Sequence, residues 1–431
     1  KTIAANGKQN NCLNVTELSL PTVLLSLPAT AVMDNTAKGG AEEQGRLLYD
    51  NVLAWEQLMH IAKTTQGIDN TYEKNDMTSR QNIRYMQMFA GAFMYAAGSH
   101  VGVEYGSCGG LVCGKPVDDA TTEKNKLFGW GVAHEIGHNM DKLGKAECTN
   151  NIYSLMVQTF DGKDNTLPSR LEGGKYPQIF TKVAEGYPGA SGDVFVQLGM
   201  YWQLHLAYDN GQNDANGPMD FYNRFFKSWK AGTYFGDATS YDDKVALTAA
   251  GTANKDLTEF FTRWGMQLSE STKTKLKDYE KEPRAIWYLD DNSRRDRLNS
   301  VPQGAGSIIA TAKKEGDHQV VLSMRADMTA GKVQGYEIRR NDTVIGFTTE
   351  ATYTDVIGSA NHMNFAYTVQ AYDSLGNAIG DAVHAGDIRV AYDKTLRADQ
   401  YTIDRDVDTV TVTLTNGPTA VSGVKLVSEK A

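Results

Sequence analysis

The sequence predicts an α+β chain: largely helical with a small sheet over residues 1–295, then all-β from about residue 300 onward. Three observations carry that reading. Apolar residues recur at helical spacing through 41–65, 194–208 and 219–229, whereas 320–372 breaks into short strand-like runs separated by turn residues. Apolar residues make up 41% of the chain, yet no apolar run approaches the ~20 residues of a membrane span. A length of 431 residues is that of two or three domains.

In chain order, residues 20–27 form an apolar run of strand length. Leu47, Leu48, Val52, Leu53, Trp55, Leu58 and Ile61 then fall at helical spacing. Residues 84–103 are strand-like and interrupted by glycine, a candidate edge strand along which an extended peptide pairs its main chain. Helix 194–208 carries His205, read as a core or supporting histidine rather than a metal ligand. In helix 219–229, Phe221, Tyr222, Phe225, Phe226 and Trp229 read as core. Beyond residue 300, strands are expected at 320–324, 335–340, Thr343–Thr348, 353–356 and 365–372, with turns at Asn341-Asp342 and 373–377.

The most specific feature is His134-Glu135-Ile136-Gly137-His138. On a helix, two imidazoles four residues apart project from one face and can bind one zinc ion. Glu135 then lies close enough to take a proton from water at the metal. Histidine is scarce, eight in 431 residues, and a chance match is expected in only about one such chain in a hundred. The alternative is a pair of histidines on the polar surface of a helix. Against it, Leu127, Phe128, Trp130, Val132, Ala133 and Ile136 make this helix mostly buried, and buried histidines need partners. Gly137 disfavours a helix by roughly 1 kcal/mol relative to Ala; close approach of a second backbone would explain it.

Catalytic zinc takes three protein ligands and leaves one position for water. Gly144 is the expected C-cap of the motif helix. Glu147 opens a second run in which Ile152, Leu155 and Met156 fall at helical spacing. A carboxylate in the first turn of that helix reaches the metal and is favoured by the positive end of the helix dipole. Glu147 is therefore the expected third ligand, the alternative being a helix-terminal acid with no metal role. Asp141, three residues after His138, is better placed to hydrogen-bond an imidazole than to bind the metal.

The run from Trp130 to His138, followed by Glu147 and by Thr149-Asn150-Asn151-Ile152-Tyr153-Ser154, resembles the enhancin-like zinc metallopeptidases. Residues 93–100, 103–107 and 198–208 also look like that family, so the likeness spans roughly residues 15–295. It implies a zincin-like (gluzincin) fold, zinc on His134, His138 and Glu147, and Glu135 as base. Family members from gut and mucosal bacteria cut mucin-type glycoproteins beside a Ser or Thr bearing N-acetylgalactosamine. The resemblance thus implies a secreted or cell-surface O-glycopeptidase with a pocket that reads a sugar. Such pockets combine an aromatic face with fixed hydrogen-bonders. Trp130, Asn150 and Asn151 are the nearest suitable residues, set against simple packing for Trp130 and helix capping for the asparagines. Residues 335–341 and 367–373 resemble bacterial fibronectin type III modules, which implies a β-sandwich over 300–390 that acts as spacer or surface-docking module. Residues 391–431 add strands that extend this sandwich or begin another module.

A formal charge of -9 with no basic patch argues against a nucleic-acid partner. Of four cysteines, Cys108 and Cys113 form a small loop disulfide or stay as thiols, Cys12 and Cys148 stand apart, and no zinc-finger spacing exists. The chain starts at Lys1 without a leader, so a signal peptide is expected to have been removed or the sequence trimmed. The expected chemistry is metal-assisted amide hydrolysis, with the oxyanion stabiliser left open among Tyr153, Tyr201 and His205. Two other readings stand beside it: a zinc endopeptidase with no glycan requirement, and a non-catalytic glycoprotein-binding adhesin, against which the intact Glu135 speaks.

Overall fold

The computed structural model describes residues 14–36, 39–68, 80–88, 91–98, 100–118, 126–316, 319–357, 363–390, 398–404 and 409–414. The chain divides into two compact units, residues 1–301 and 302–431.

The first unit begins with strands β1 (Thr16–Ser19), β2 (Val23–Leu27), β3 (Gln81–Met86), β4 (Met94–Ala96) and β5 (Val101–Glu104). They form one sheet in the order β1-β2-β3-β5-β4. β2, β3 and β5 run parallel, while β1 and β4 pair antiparallel with their neighbours. Alternation fixes β2: Val23, Leu25 and Leu27 are buried, with Leu24 and Ser26 between them half-exposed. The apolar run from Leu20 becomes strand only at Val23, because Pro21 has no N–H to give and Leu20 closes a turn onto the Val23 carbonyl at 2.8 Å. Residues 84–103 are not a single strand. Gly91 and Gly98 take positive φ (84° and 71°), and the chain between β3 and β5 turns back so that β4 becomes the sheet edge.

The helices are α1 (Ala29–Thr36), α2 (Ala41–Thr65), α3 (Trp130–Met140), α4 (Asn151–Thr159), α5 (Tyr176–Glu185), α6 (Val194–Tyr208), α7 (Asp220–Ala231) and α8 (Tyr241–Ala253), with shorter ones at Thr258–Arg263, Glu270–Leu276 and Asp291–Leu298. Helix α2 buries Trp55, Leu58, Met59 and Ile61, and the Trp55 indole donates to the Leu111 carbonyl at 2.8 Å. Asp193 caps α6 by accepting from the Phe195 and Val196 N–H groups. In α7, Phe221, Tyr222, Phe225 and Phe226 are fully buried, as their spacing predicts. Burial of each such side chain stabilises by about 1.5–3 kcal/mol.

The second unit holds β6 (Gly306–Glu315), β7 (Gln319–Met328), β8 (Val333–Arg340), β9 (Thr343–Thr348), β10 (Thr352–Val356), β11 (Met363–Asp373), β12 (Ala378–Val390), β13 (Ala398–Asp404) and β14 (Thr409–Leu414). They form sheets ordered β10-β7-β6 and β12-β11-β8-β9, plus the pair β13-β14. Ile308, Val320, Leu322, Ile338, Tyr367 and Val369, drawn from both larger sheets, share one buried cluster. Asn341 and Asp342 both adopt left-handed backbone (φ 49° and 63°), which suits the tight turn between β8 and β9. Strands β6 and β12 lie outside the predicted set. In β6 the half-buried residues include Ala310 and Ala312, too small to mark an apolar face beside Lys313 and Lys314. No helix among the described residues is long and apolar enough to cross a membrane.

Candidate active site

Helix α3 brings the two motif histidines together, with ring centroids 4.7 Å apart, planes at 87° and Nε2 atoms 3.2 Å apart. Glu147 completes the cluster. Its Oε2 lies 3.3 Å from Nε2 of His134, and its Oε1 lies 3.2 Å from Nε2 of His138. Two atoms bound to one zinc at 2.0–2.1 Å and tetrahedral angles sit about 3.3 Å apart, so the donor set has the spacing a zinc ion requires. Among the described residues this is the one group of His, Cys, Asp or Glu side chains gathered closely enough to hold a metal. The Glu147 side chain is 60% exposed, against 18% and 22% for His134 and His138.

The segments carrying these groups are interlocked. A Cβ on Gly137 would stand 2.2 Å from the Asn150 carbonyl oxygen, so the turn behind the helix packs where any side chain would go. That is the backbone approach the sequence called for. Two expectations are corrected here. Helix α3 ends at Met140, with Asp141 as its C-cap in extended conformation and Gly144 beyond it in the loop. Helix α4 starts at Asn151, and Glu147 lies in the preceding turn with φ 63°, a left-handed backbone that a long side chain rarely adopts. The helix dipole therefore does not explain Glu147.

Side chains that capture backbone groups explain the difference. The Asp141 carboxylate accepts from Leu143 N (3.0 Å), Gly144 N (2.9 Å) and Thr149 Oγ1 (2.6 Å). Asp141 thus shapes the loop instead of bonding an imidazole. Cys148 N and Thr149 N both donate to the Lys145 carbonyl, closing the turn that exposes Glu147.

Burial, the largest cause, pushes the Glu135 carboxyl upward; the charge of His134 opposes this and that of Glu147 adds to it. Burial also lowers His138, helped by His134 and opposed by Glu147 and Asp141. A neutral imidazole is the form that donates to a metal.

Asn150 and Asn151 are 0% and 1% exposed. Asn151 places Oδ1 2.6 Å from Nδ1 of His134, and its Nδ2 donates to the Glu147 carbonyl at 2.8 Å. Asn150 sets Nδ2 3.2 Å from the same Nδ1, and its Oδ1 is buried without a partner. Trp130 opens α3, half-buried, with its ring 5.8 Å from that of Phe195; the Arg170 guanidinium lies over both rings at 4.8 and 4.6 Å. Tyr153, Tyr201 and His205 are buried. Tyr153 donates to the Met140 carbonyl (3.4 Å), Tyr201 pairs with the Tyr241 hydroxyl (2.8 Å), and His205 Nδ1 meets Asp209 Oδ2 (2.5 Å).

Sequence reasoning missed Asn139. It accepts from Gly98 N at 2.8 Å and donates to Gln81 Oε1 at 3.0 Å, which ties α3 to the sheet. No apolar signal marks it, because it is a polar residue on the buried side of the helix, seven residues after Val132 and three after Ile136. Edge strand β4 lies along the start of α3, where Phe93 and Met94 approach Gly131 and Phe93 stays exposed. Cys108, Cys113 and Cys148 are free thiols, and Cys12 lies outside the described residues.

Residues 32–265, more than half of the chain, match the family described as Peptidase M60, enhancin and enhancin-like. The fold is similar to the catalytic domain of Clostridium perfringens ZmpC solved in complex with the sialyl T antigen. That match has a TM-score of 0.65 and 23% identity, and covers 89% of this chain and 71% of that one. The catalytic module of the metalloprotease ZmpA from the same organism gives a TM-score of 0.63 at 22% identity, with 89% and 70% covered. A metallopeptidase from Bacteroides thetaiotaomicron gives 0.59 at 16% identity, with 86% and 66% covered. At these identities the likeness concerns the fold. No curated protein matches the sequence.

Proposed function

The chain belongs to the enhancin-like M60 peptidase family and is a metallopeptidase; from that premise we propose a zinc endopeptidase that cuts mucin-type O-glycoproteins beside a glycosylated Ser or Thr. The observation that carries the chemistry is the triangle of His134, His138 and Glu147, with edges of 3.2–3.3 Å beside a buried Glu135. The likeness to a catalytic domain whose structure is in complex with the sialyl T antigen supports the substrate class.

His134, His138 and Glu147 would hold the ion. Zinc in such a site supplies Lewis acidity, which acidifies water and polarises a carbonyl. Glu135 takes the proton of the attacking water and returns it to the leaving amine. Its upward shift from burial suits a group that must both accept and give a proton near neutral pH. Strand β4, the edge of the sheet among the described residues, offers main-chain groups to an extended substrate.

Trp130, backed by Arg170 and Phe195, is the aromatic face proposed for the sugar. Asn150 and Asn151 also belonged to that expected pocket, but their burial favours a part in holding His134. We read the second unit as a fibronectin type III-like sandwich serving as spacer or docking module, supported by its three- and four-stranded sheets around one core. Secretion or display at the cell surface follows from a mucin substrate.

The test is a digest of one peptide with and without N-acetylgalactosamine on threonine, read by mass spectrometry. Cleavage of the glycopeptide alone is expected. Equal cleavage of both rejects the sugar requirement, and cleavage of neither by zinc-loaded protein favours the adhesin reading.

A further inference from the structure

Resting on the metal-site reading above, we propose that Asn151 is the positioning residue that aligns two of the three ligands at once. Its carboxamide oxygen holds His134 in the tautomer that presents Nε2, and its amide nitrogen holds the left-handed turn that aims Glu147.

The direction of the amide is settled by its two ends. Nδ2 faces the Glu147 carbonyl at 2.8 Å, an oxygen that only accepts, so Oδ1 is the atom turned to His134. Ser154 Oγ donates to that same Oδ1 at 3.3 Å, which agrees with this orientation. At 2.6 Å from His134 Nδ1, an amide oxygen facing a bare ring nitrogen would set one lone pair against another. The proton therefore sits on Nδ1, which leaves Nε2, the atom that faces His138 and Glu147, as the nitrogen that would offer its lone pair to a metal ion. Asn150 pulls the other way, since its Nδ2 could bond Nδ1 only if that nitrogen were bare. Its distance of 3.2 Å is the longer of the two.

The second arm reaches the backbone. Asn151 lies four residues after Glu147, and its bond to the Glu147 carbonyl closes the turn in which Glu147 stands at φ 63°. Aspartate at this position would keep the acceptor for His134 but lose the donor for the turn, setting a carboxylate oxygen against a carbonyl. A neutral amide is the side chain that serves both partners, and its burial keeps water from substituting for either.

The experiment measures two quantities on the full chain. In metal-free protein with 15N-labelled histidine, NMR reads the tautomer of His134; competition against a chromophoric chelator reads zinc affinity. Wild type is expected to show Nδ1–H. Asn151→Ala is expected to lose that preference and to bind zinc about 10–100-fold more weakly, with turnover recovering when zinc is in excess. Asn151→Asp keeps the tautomer but still binds zinc more weakly, which separates the two arms and serves if the alanine variant does not fold. Asn150→Ala leaves the tautomer unchanged. Wild-type tautomer and zinc affinity in both Asn151 variants would overturn the proposal, as would an equal loss of tautomer preference in Asn150→Ala. If wild type binds no zinc, the metal reading fails, while the tautomer measurement still tests the first arm.

Discussion

The buried polar groups around the candidate site of the first unit differ from the buried charges of the second. In the first, Asn150 Oδ1 and His205 Nε2 are buried without partners, and Glu147 holds a left-handed backbone. In the second, Asp355 accepts two bonds from Arg340 (3.0 and 2.8 Å) and one from the Tyr367 hydroxyl (2.7 Å), and buried Glu337 pairs with Arg339 at 2.8 Å. An unsatisfied buried group costs about 1–3 kcal/mol, and a non-glycine residue in left-handed conformation about 1–3 kcal/mol. The first unit thus gives up stability where it aims side chains, whereas the second satisfies its buried charges. Such features also occur away from the cluster: Trp287 Nε1 in the first unit and Ser374 Oγ in the second are buried without partners, and Asn341 and Asp342 share the left-handed backbone.

The sharpest way to break that contrast is at the base. Glu135→Ala should retain zinc and lose turnover by about 10²–10⁴-fold, while His134→Ala should lose both, as read by metal analysis beside peptide cleavage. Near-normal turnover of Glu135→Ala would leave the first unit's buried carboxyl without a task. Next comes Gly137→Ala. Its new methyl meets backbone 2.2 Å away, so the turn must move, with an expected destabilisation of about 1–3 kcal/mol and a parallel fall in zinc affinity. Unchanged affinity would show that the helix and the turn are not mechanically joined.

In the second unit, Arg340→Ala leaves the Asp355 carboxylate with the Tyr367 hydroxyl and without its cation, and should destabilise that unit by on the order of 2 kcal/mol, less than a fully buried pair because Arg340 is partly exposed. Peptide cleavage should not change. The smallest effect is acid sensitivity. Burial acts to raise Asp161 and Asp193, yet hydrogen bonds outweigh it: from Thr166 and from loop N–H groups for Asp161, from Lys175 and the α6 N–H groups for Asp193. Both carboxyls are therefore held below the ordinary value of 3.8. The unfolded chain takes up those protons first, so their stabilisation is complete above that value and fades as pH falls through the lowered ones. Melting curves should show the first unit losing stability below about pH 3.8. Loss of the second unit ahead of it would reverse the comparison.

How much of this could be read from the sequence depended on how local the signal was. Helices α2 and α6 follow from apolar spacing alone, and the motif helix from its flanks. Gly137 announced a close backbone neighbour, because a poor helix former needs a reason to sit in a buried helix. The Glu147 turn was illegible: Ile152, Leu155 and Met156 give a helical period that extends backward past the true start. What stops the helix is Asp141 reaching eight residues forward to the Thr149 hydroxyl, a contact that spacing does not encode. The burial of the asparagines was hidden for a related reason. Their amides read as sugar-pocket hydrogen-bonders or helix caps, and the fold buries them against His134. Strands β6 and β12 escaped because alanine, glycine and charged residues dilute their alternation.

The uneven exposure of the cluster has a consequence for inhibitor chemistry. Two imidazoles form a recessed floor and the carboxylate of Glu147 an outer flap. A small chelating group would meet that flap first, before it reached the imidazoles.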